Sequence, residues 1–474
     1  MSRTVIVLAA GEGKRMKSDL PKVLHQLMGR SLVGHVLHAS ADLSSDQTIV
    51  VVGHRADQVI THLSEIAPSV KTVLQAEQKG TGHAVRVALP AGIKGTVVVL
   101  NGDVPLLRPE TLRSFVETHE SSGAAATVLA AELVEPNGLG RIVRNEQGEF
   151  ECIVEARDAT PEQLAIHEIN AGIYAFQADA LADALGHLTT HNEQGEEYLT
   201  DVFALLKAEG APIAVHVAPD VTETMGCNDR AELAGLRALL RDRVNLELMR
   251  AGVTILDPAT AWIDVTVEVE RDAVIDSNVQ LRGATRVGES ATIGPEVTLL
   301  DTVVGEDAFV VKAHAVGAEV GPSASVGPYA YLRPGTVVGR SAKVGTFVEV
   351  KNSSLGEGTK VPHLSYVGDG TIGDHTNIGA GNIFANYSGA TKSRTTIGDH
   401  VRTSSATTFV APVEVGDGAY TAAGSVITKD VPPGALGVAR SHQRNIEGWV
   451  GRSRPGSAAD KAAKRAQQEA EEED

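Results

Sequence analysis

The sequence predicts two architectures in series, an α/β Rossmann-like domain followed by a parallel β-helix of hexapeptide repeats, and three observations carry that reading. Before about residue 225, short apolar runs alternate with amphipathic helical stretches. Beyond residue 260 an aliphatic residue recurs every six positions, at Ile263, Val269, Ile275, Leu281, Val287, Ile293 and Leu299. Glycine often follows the repeated residue, as at Val287-Gly288, Val344-Gly345 and Ile372-Gly373.

The first domain, residues 1–228, rests on three apolar runs, Thr4–Leu8, Thr48–Val52 and Thr96–Leu100, each ending near a glycine. Runs of this kind suit parallel strands covered on both faces. Between the first two, Ser31 is a candidate N-cap, and Leu32, Val33, Val36 and Leu37 form one helical stripe. Strand–helix–strand order is the signature of an open, mostly parallel sheet. Residues 229–251 are expected to be one connecting helix, with Leu233, Leu236, Leu240, Val244 and Leu248 on one face and Gly252 after its end. From 252 to 450 the six-residue beat dominates, resuming after slips at Val326, Leu332, Val338, Val344 and Val350, then at Ile397, Phe409, Val415 and Ile427. A helix of period 3.6 cannot hold a six-residue beat on one face, and a single strand shows period two. Short strands joined by tight bends can, three to a coil. Residues 451–474 are rich in Ala, Lys, Gln and Glu and are expected to form a disordered tail without a catalytic role.

Composition narrows the function. At 474 residues, with 42% hydrophobic and 22% charged residues, the chain can bury two or three cores. A formal charge of −18 argues against non-specific nucleic-acid or acidic-membrane binding, so a site for an anionic substrate must gather its cations locally. Cys152 and Cys227 are too few for a disulfide framework and read as small buried residues. The chain opens directly on a strand, and no apolar run is long enough to span a bilayer, so a cytoplasmic protein without membrane insertion is expected.

After the first strand, Leu8-Ala-Ala-Gly-Glu-Gly-Lys-Arg-Met16 offers small residues that let backbone N–H groups approach phosphate oxygens, with Lys14, Arg15 and Lys22 supplying charge. It is neither a Walker A loop nor a dinucleotide fingerprint, and an ordinary strand–turn–helix bend would use the same residues. Asp103 adds a carboxylate just beyond a buried strand, at the edge where open α/β sheets bind ligands. A carboxylate facing a triphosphate needs a cation between them, and Mg²⁺ is suitable. Asp103 could equally be a turn residue before Val104-Pro105. In the repeats, Arg333, Glu349, Lys351, His363, Tyr366, Asn377, Asn386 and Tyr387 break the apolar pattern within one stretch. The beat itself is interrupted at about 385–396. An extruded loop on a solenoid is a usual binding site, although a bare hexapeptide repeat can also be a passive stalk.

LAAGxGxRM, Pro21-Lys22, Gln75–Gln78, Gly80-Thr-Gly-His83 and Gly102-Asp103 together resemble the sugar-nucleotide pyrophosphorylase family. With the repeats and His363-Leu-Ser-Tyr-Val-Gly-Asp369, the chain resembles the bifunctional N-acetylglucosamine-1-phosphate uridylyltransferase / glucosamine-1-phosphate N-acetyltransferase enzymes, from about residue 3 to 449. The resemblance implies a nucleotidyltransferase domain followed by a left-handed β-helix, with Mg²⁺ at the first site and UTP and acetyl-CoA as substrates. It implies that Leu8, Ala9, Ala10 and Gly11 wrap the nucleotide, that Lys22 contacts phosphate, and that Gln75, Gly80 and Thr81 hold uracil. Asn101, Gly102, Gly140, Glu155, Asn170 and Asn228 would complete the sugar-nucleotide site, with Asp103 and Asn228 ligating Mg²⁺. Asn101 departs from relatives that can carry an aromatic residue there.

In the repeats the resemblance implies that His363 is the general base, because the amine of glucosamine 1-phosphate must lose a proton before it attacks a thioester and an imidazole can accept one. Glu349 is a candidate to orient that ring. Arg333, Lys351, Tyr366 and Asn377 would bind the amino-sugar phosphate, and Ala380, Asn386, Tyr387, Ser405, Ala423 and Arg440 would hold acetyl-CoA. His314, His363, His375 and His400 lack zinc-ligand spacing, which disfavours a carbonic-anhydrase reading. A homotrimer and a place in bacterial cell-wall precursor synthesis are likewise implied. Two alternatives stay open at this point. One is a nucleotidylyltransferase whose repeats only oligomerise or regulate it, as in glucose-1-phosphate adenylyltransferases. The other is a non-catalytic scaffold.

Overall fold

The structure is a computed structural model and describes residues 2–136, 138–190, 192 and 194–473. The chain divides into two compact units, Met1–Ser323 and Ala324–Asp474.

In the first unit, a mixed sheet runs in the spatial order Ile213–Val217, Ala126–Glu132, Glu168–Gln177, Thr96–Asn101, Arg3–Ala9, Gln47–Val52, Lys71–Leu74. The strand Arg3–Ala9 pairs in parallel with both Gln47–Val52 and Thr96–Asn101, so strand order reverses at it. Glu168–Gln177 is antiparallel to both its neighbours, an exception that three buried apolar runs could not announce. Side chains alternate across the sheet. Val5, Val7 and Ala9 enter a core with Leu112 and Phe115. Ile6 enters the opposite core, with Phe176 and Phe203, and Leu8 packs against it while half-buried at the strand's end. The helix Leu32–Ala41 starts where expected, because Ser31 Oγ accepts from Gly34 N at 3.1 Å.

The connecting helix spans Arg230–Arg250, and its N-cap Asp229 accepts from Ala231 N at 2.8 Å and Glu232 N at 2.9 Å. Leu233, Leu236 and Leu240 are buried with Met16, Leu27, Leu32 and Leu106. The stripe then departs from expectation. Val244 and Leu248 are only half-buried, and Asn245 is the buried residue. Its amide donates to Pro258 O at 2.9 Å and Ala261 O at 3.0 Å, holding the start of the repeats.

The repeats form a left-handed parallel β-helix of two- to four-residue strands. Within the first unit, Ile263 pairs beside Leu281, Val269 beside Val287, Ile275 beside Ile293, and Leu281 beside Leu299, eighteen residues or three sixes apart each time. In the second unit, Val344 stands beside Val361, Val350 beside Val367, and Phe409 beside Ile427. Apart from Val269, which is half-buried, these inward residues are essentially unexposed because each covers the one a coil below, at about 4.8 Å spacing. That closeness explains the recurrent glycines. A Cβ on Gly345 would sit 2.0 Å from Pro362 O, and one on Gly288 would sit 2.8 Å from Glu306 N. The interruption between coils appears as a larger step, from Ile372 to Ile397 and from Phe384 to Phe409. The surplus residues leave the coil as a small loop closed by a bridge between Tyr387 and Lys392.

Composition predicts a disordered tail, but the structure has helices at Trp449–Ser453 and Ala458–Glu473. Alanine content favours helix, Ser457 Oγ accepts from Asp460 N at 3.1 Å, and Lys464 pairs with Asp460 one turn back at 3.0 Å.

Phe384 is unexposed and its ring packs on Phe409 with centroids 5.2 Å apart. Phe384→Ala is expected to cost the β-helix about 3–5 kcal/mol, read as a lowered transition midpoint in urea by circular dichroism. An unchanged midpoint would mean that the coil interior is not tightly packed here.

Candidate functional site

The first site forms where the sheet order reverses, at the carboxyl ends of Arg3–Ala9 and Thr96–Asn101. Leu8 is in register with Asn101, and Gly102 N donates to Leu8 O at 2.9 Å. A Cβ on Gly102 would lie 2.9 Å from that same oxygen, so only glycine lets the Asp103 turn come so close to the first strand. The loop after that strand is fixed from below: Met16 is buried in the helix core, and Arg230 Nε donates to Met16 O at 3.2 Å. Gly13 has φ +65, and a Cβ there would stand 2.6 Å from Lys22 Cβ, so the loop wraps directly over Lys22.

Lys22 Nζ forms an ion pair with Asp103 Oδ2 and donates to Asn228 Oδ1 at 3.2 Å. Two oxygens from distant parts of the chain, a carboxylate and an amide, thus converge on one cation position. That donor set fits Mg²⁺, which takes few protein oxygens and fills its octahedron from phosphate and water.

Two adjoining clefts open beside this point, sharing Leu8 and Thr81. One, of about 220 Å³, is lined by Leu8, Ala10, Gly11, Gln75, Gly80 and Thr81. The other, of about 340 Å³, is lined by Leu8, Thr81, Asn101, Gly140, Glu155 and Asn170. The structure therefore brings together most residues expected at a nucleotide site. Ala9 and Gly102 border neither cleft, and the Ala9 side chain enters the core on the other face of the sheet. Asn101 faces Gly172, whose Cβ would come within 2.4 Å of its Nδ2. Asn170 Nδ2 donates to Tyr174 OH at 2.8 Å and its Oδ1 accepts from Gly172 N at 3.0 Å. Burial raises the Glu155 carboxyl above its ordinary pKa, with Asp158 and Asp201 adding to the rise against a bond from Thr200. Cys227 is buried and its thiol is pushed up to about 11 mainly by burial, as a structural cysteine should be.

The second site lies in the second unit. His363 ends the strand Lys360–His363 and is exposed, with Leu364 at φ +49 turning the coil onto the strand Tyr366–Gly368. From His363 a file of backbone bonds climbs one corner: Gly381 N donates to His363 O at 3.2 Å, Ala406 N to Ala380 O at 2.8 Å, and Gly424 N to Ser405 O at 3.0 Å. His363, Ala380, Ser405 and Ala423 therefore stack at successive coils. Asn377 sits on the face that carries the His363 strand, bridged to Lys360 and Arg402. Arg440 is exposed, one residue after Ala439, whose carbonyl accepts from Val426 N at 3.2 Å.

Across the corner, Glu349 pairs in register with Tyr366, and Lys351 with Gly368. Among the described residues no hydrogen bond links Glu349 to His363. Its carboxylate accepts from Arg333 Nη1 at 2.9 Å, and the residue in register with His363 is Thr346. The six-residue beat puts Glu349 and His363 on different faces of the prism, a separation the linear order conceals.

Sequence reasoning missed the hub of this site. Asp369 is 7% exposed and gathers Lys351 Nζ at 3.3 Å, Asn352 Nδ2 at 2.6 Å and Asn386 Nδ2, while Asn386 Nδ2 also lies 3.5 Å from Tyr366 OH. Burial pushes the Asp369 carboxyl up, but the amides of Asn352 and Asn386 and the Lys351 ammonium outweigh it and hold it below its ordinary value. The available signal was a carboxylate just after an inward Val367 in an otherwise apolar rhythm.

The MobA-like NTP transferase domain model matches residues 5–252. The whole chain is similar to a protein named Bifunctional protein GlmU from Streptomyces coelicolor, 57% identical over 474 residues that cover 99% of this chain and 98% of the relative. The protein of the same name from Thermobifida fusca is 56% identical, with 99% and 98% covered. That from Corynebacterium efficiens is 51% identical over 472 residues, with 98% and 97% covered.

A depressed carboxyl stabilises the fold above its unfolded pKa, and that contribution is lost as pH falls through the folded value. Asp369→Asn should therefore cost about 2 kcal/mol near pH 7 for a buried charged acceptor of three donors, with the gap to the native chain closing in acid. Thermal melts across pH measure this, and a gap independent of pH would contradict an ionised hub.

Proposed function

We propose, because this chain belongs to the bifunctional GlmU family, that its two sites divide a two-step synthesis between the sheet edge and the β-helix corner. The protein is a bifunctional enzyme of UDP-N-acetylglucosamine synthesis. It moves an acetyl group from acetyl-CoA to glucosamine 1-phosphate, and then a uridylyl group from UTP to N-acetylglucosamine 1-phosphate with release of pyrophosphate, using Mg²⁺. Assignment of residues to those steps is our reading.

The observation that carries it is the meeting of Lys22, Asp103 and Asn228 at the point of strand reversal. The sugar 1-phosphate is already an anion, so its oxygen attacks the α-phosphorus of UTP without a general base, and pyrophosphate leaves along the same line. What the chain must supply is placement and positive charge. Lys22 contacts phosphate. Leu8, Ala9, Ala10, Gly11 and Gly102 let the backbone close on the nucleotide. Gln75, Gly80 and Thr81 take the uracil, while Asn101, Gly140, Glu155 and Asn170 take the sugar. Asp103 and Asn228 hold Mg²⁺, which when bound neutralises the charge gathering on the phosphates.

At the β-helix corner, His363 takes a proton from the amine of glucosamine 1-phosphate. The freed nitrogen attacks the thioester carbonyl of acetyl-CoA, the C–N bond forms, the C–S bond breaks, the nitrogen's surplus proton passes to the departing sulfur, and coenzyme A leaves as the thiol. Arg333, Lys351, Tyr366 and Asn377 bind the amino-sugar phosphate. Ala380, Ser405 and Ala423 are small and stacked above His363, which suits the pantetheine arm. Asn386, Tyr387 and Arg440 hold the remainder. Exposure of His363 supports this reading, since a ring packed inside the prism could not reach a ligand.

Residues 1–228 make up the nucleotidyltransferase, 229–251 the connecting helix and 252–450 the acetyltransferase. We place the protein in the cytoplasm as a homotrimer that supplies cell-wall precursors. Among the described residues no helix is long and apolar enough to cross a membrane.

His363→Ala is expected to lower acetyl transfer at least about 100-fold, the usual share of a general base, while uridylyl transfer continues. Asp103→Ala should do the reverse. Parallel assays of free-thiol formation and pyrophosphate release decide the matter, and a joint loss in either folded variant would refute the division. EDTA should stop pyrophosphate release and spare thiol formation; loss of both would place a metal-dependent step at the corner.

A further inference from the structure

Gln75 is 5% exposed and lines the 220 Å³ cleft. Its amide can face only one way. Nε2 lies 3.1 Å from Gly80 O, and a carbonyl oxygen accepts only, so the NH₂ end must point there. The second N–H meets His83 Nδ1 at 3.0 Å. For that bond Nδ1 must offer its lone pair, which places the ring proton on Nε2. Among the described residues no donor reaches Gln75 Oε1, so the amide has one group left for a ligand, an acceptor.

The elements around this pair are firmly set. Gly80 has φ +107, and a Cβ there would lie 2.4 Å from Glu197 O. Thr81 Oγ1 accepts from Leu199 N at 3.0 Å, and Gly82 N donates to Glu197 O at 2.8 Å. The helix Thr81–Ala88 is thereby tied at its first turn, and His83 projects from that turn.

We propose that His83 is a specificity-determining positioning residue: by accepting the second amide proton of Gln75 it completes, with Gly80 O, the hold that keeps Oε1 toward the base, where it selects a ring nitrogen that carries hydrogen. The proposal rests on the reading that this cleft holds the base of UTP. Uracil presents N3–H between two carbonyl oxygens. Cytosine presents a bare N3 beside an amine. A fixed acceptor pairs with the first and sets lone pair against lone pair with the second. A freely turning amide would offer either end and discriminate poorly.

The test is pyrophosphate release by the full-length chain with UTP or CTP as substrate, compared as kcat/KM. His83→Leu removes the acceptor and should lower the UTP-to-CTP ratio about tenfold, the worth of roughly one hydrogen bond, with an unchanged circular dichroism spectrum and thermal melt as the control for folding. His83→Asn can return an oxygen to the Nδ1 position and should restore the ratio. A native ratio in His83→Leu, or equal losses with both nucleotides, overturns the role of His83. Gln75→Ala separates the two ideas: if it leaves the ratio untouched, the base does not lie in this cleft and the underlying reading fails first.

Discussion

Parallel backbone pairing in strict register is the constraint on which the rest of this protein depends. Parallel strands need a crossover before each return. In the first unit the crossovers are helices, and strand reversal at Arg3–Ala9 leaves a crevice at its carboxyl end. In the repeats the crossovers are the other two faces of the coil, so the return comes after about three sixes, seventeen or eighteen residues where no loop intervenes, and stacks like on like. One rule thus produces a crevice in one place and a regular prism in another.

The two architectures suit two chemical problems. Joining two phosphates that are both anionic calls for cations and close backbone approach, and on the proposed reading the crevice offers Lys22, the oxygens of Asp103 and Asn228 that would hold Mg²⁺, and the glycines. Acylating an amine calls for removal of a proton beside a long, thin acyl carrier. A prism corner suits that on the proposed reading, with His363 at one coil and small residues at the next three. In both sites a carboxylate holds a lysine, Asp103 with Lys22 and Asp369 with Lys351. A lysine so held is placed before a phosphate arrives, and less side-chain entropy is lost on binding.

Fine control is exerted one contact further out. Gln75 takes its direction from Gly80 and His83, and Asn386 takes its direction from Asp369 and Tyr366. Amides are suited to such service because each end accepts or donates but not both. A neighbour that fixes an amide's orientation therefore fixes what it can recognise.

Period and punctuation made the architecture legible without coordinates. The six-residue beat, the buried runs, Ser31 as a cap and the helix Arg230–Arg250 between Asp229 and Gly252 all follow from local rules, because each residue's burial depends on near neighbours in the chain. The glycines after repeated residues were visible too, although their cause, a coil only one strand spacing away, was not. What only the tertiary structure decided were pairings between residues far apart in sequence. The antiparallel course of Glu168–Gln177, the turn of Ala9 away from the cleft, the capture of Glu349 by Arg333 and the hub at Asp369 all depend on which face a residue occupies after folding. Sequence order sets how residues alternate, but side-chain partners are chosen by the three-dimensional register, and no local pattern encodes that choice.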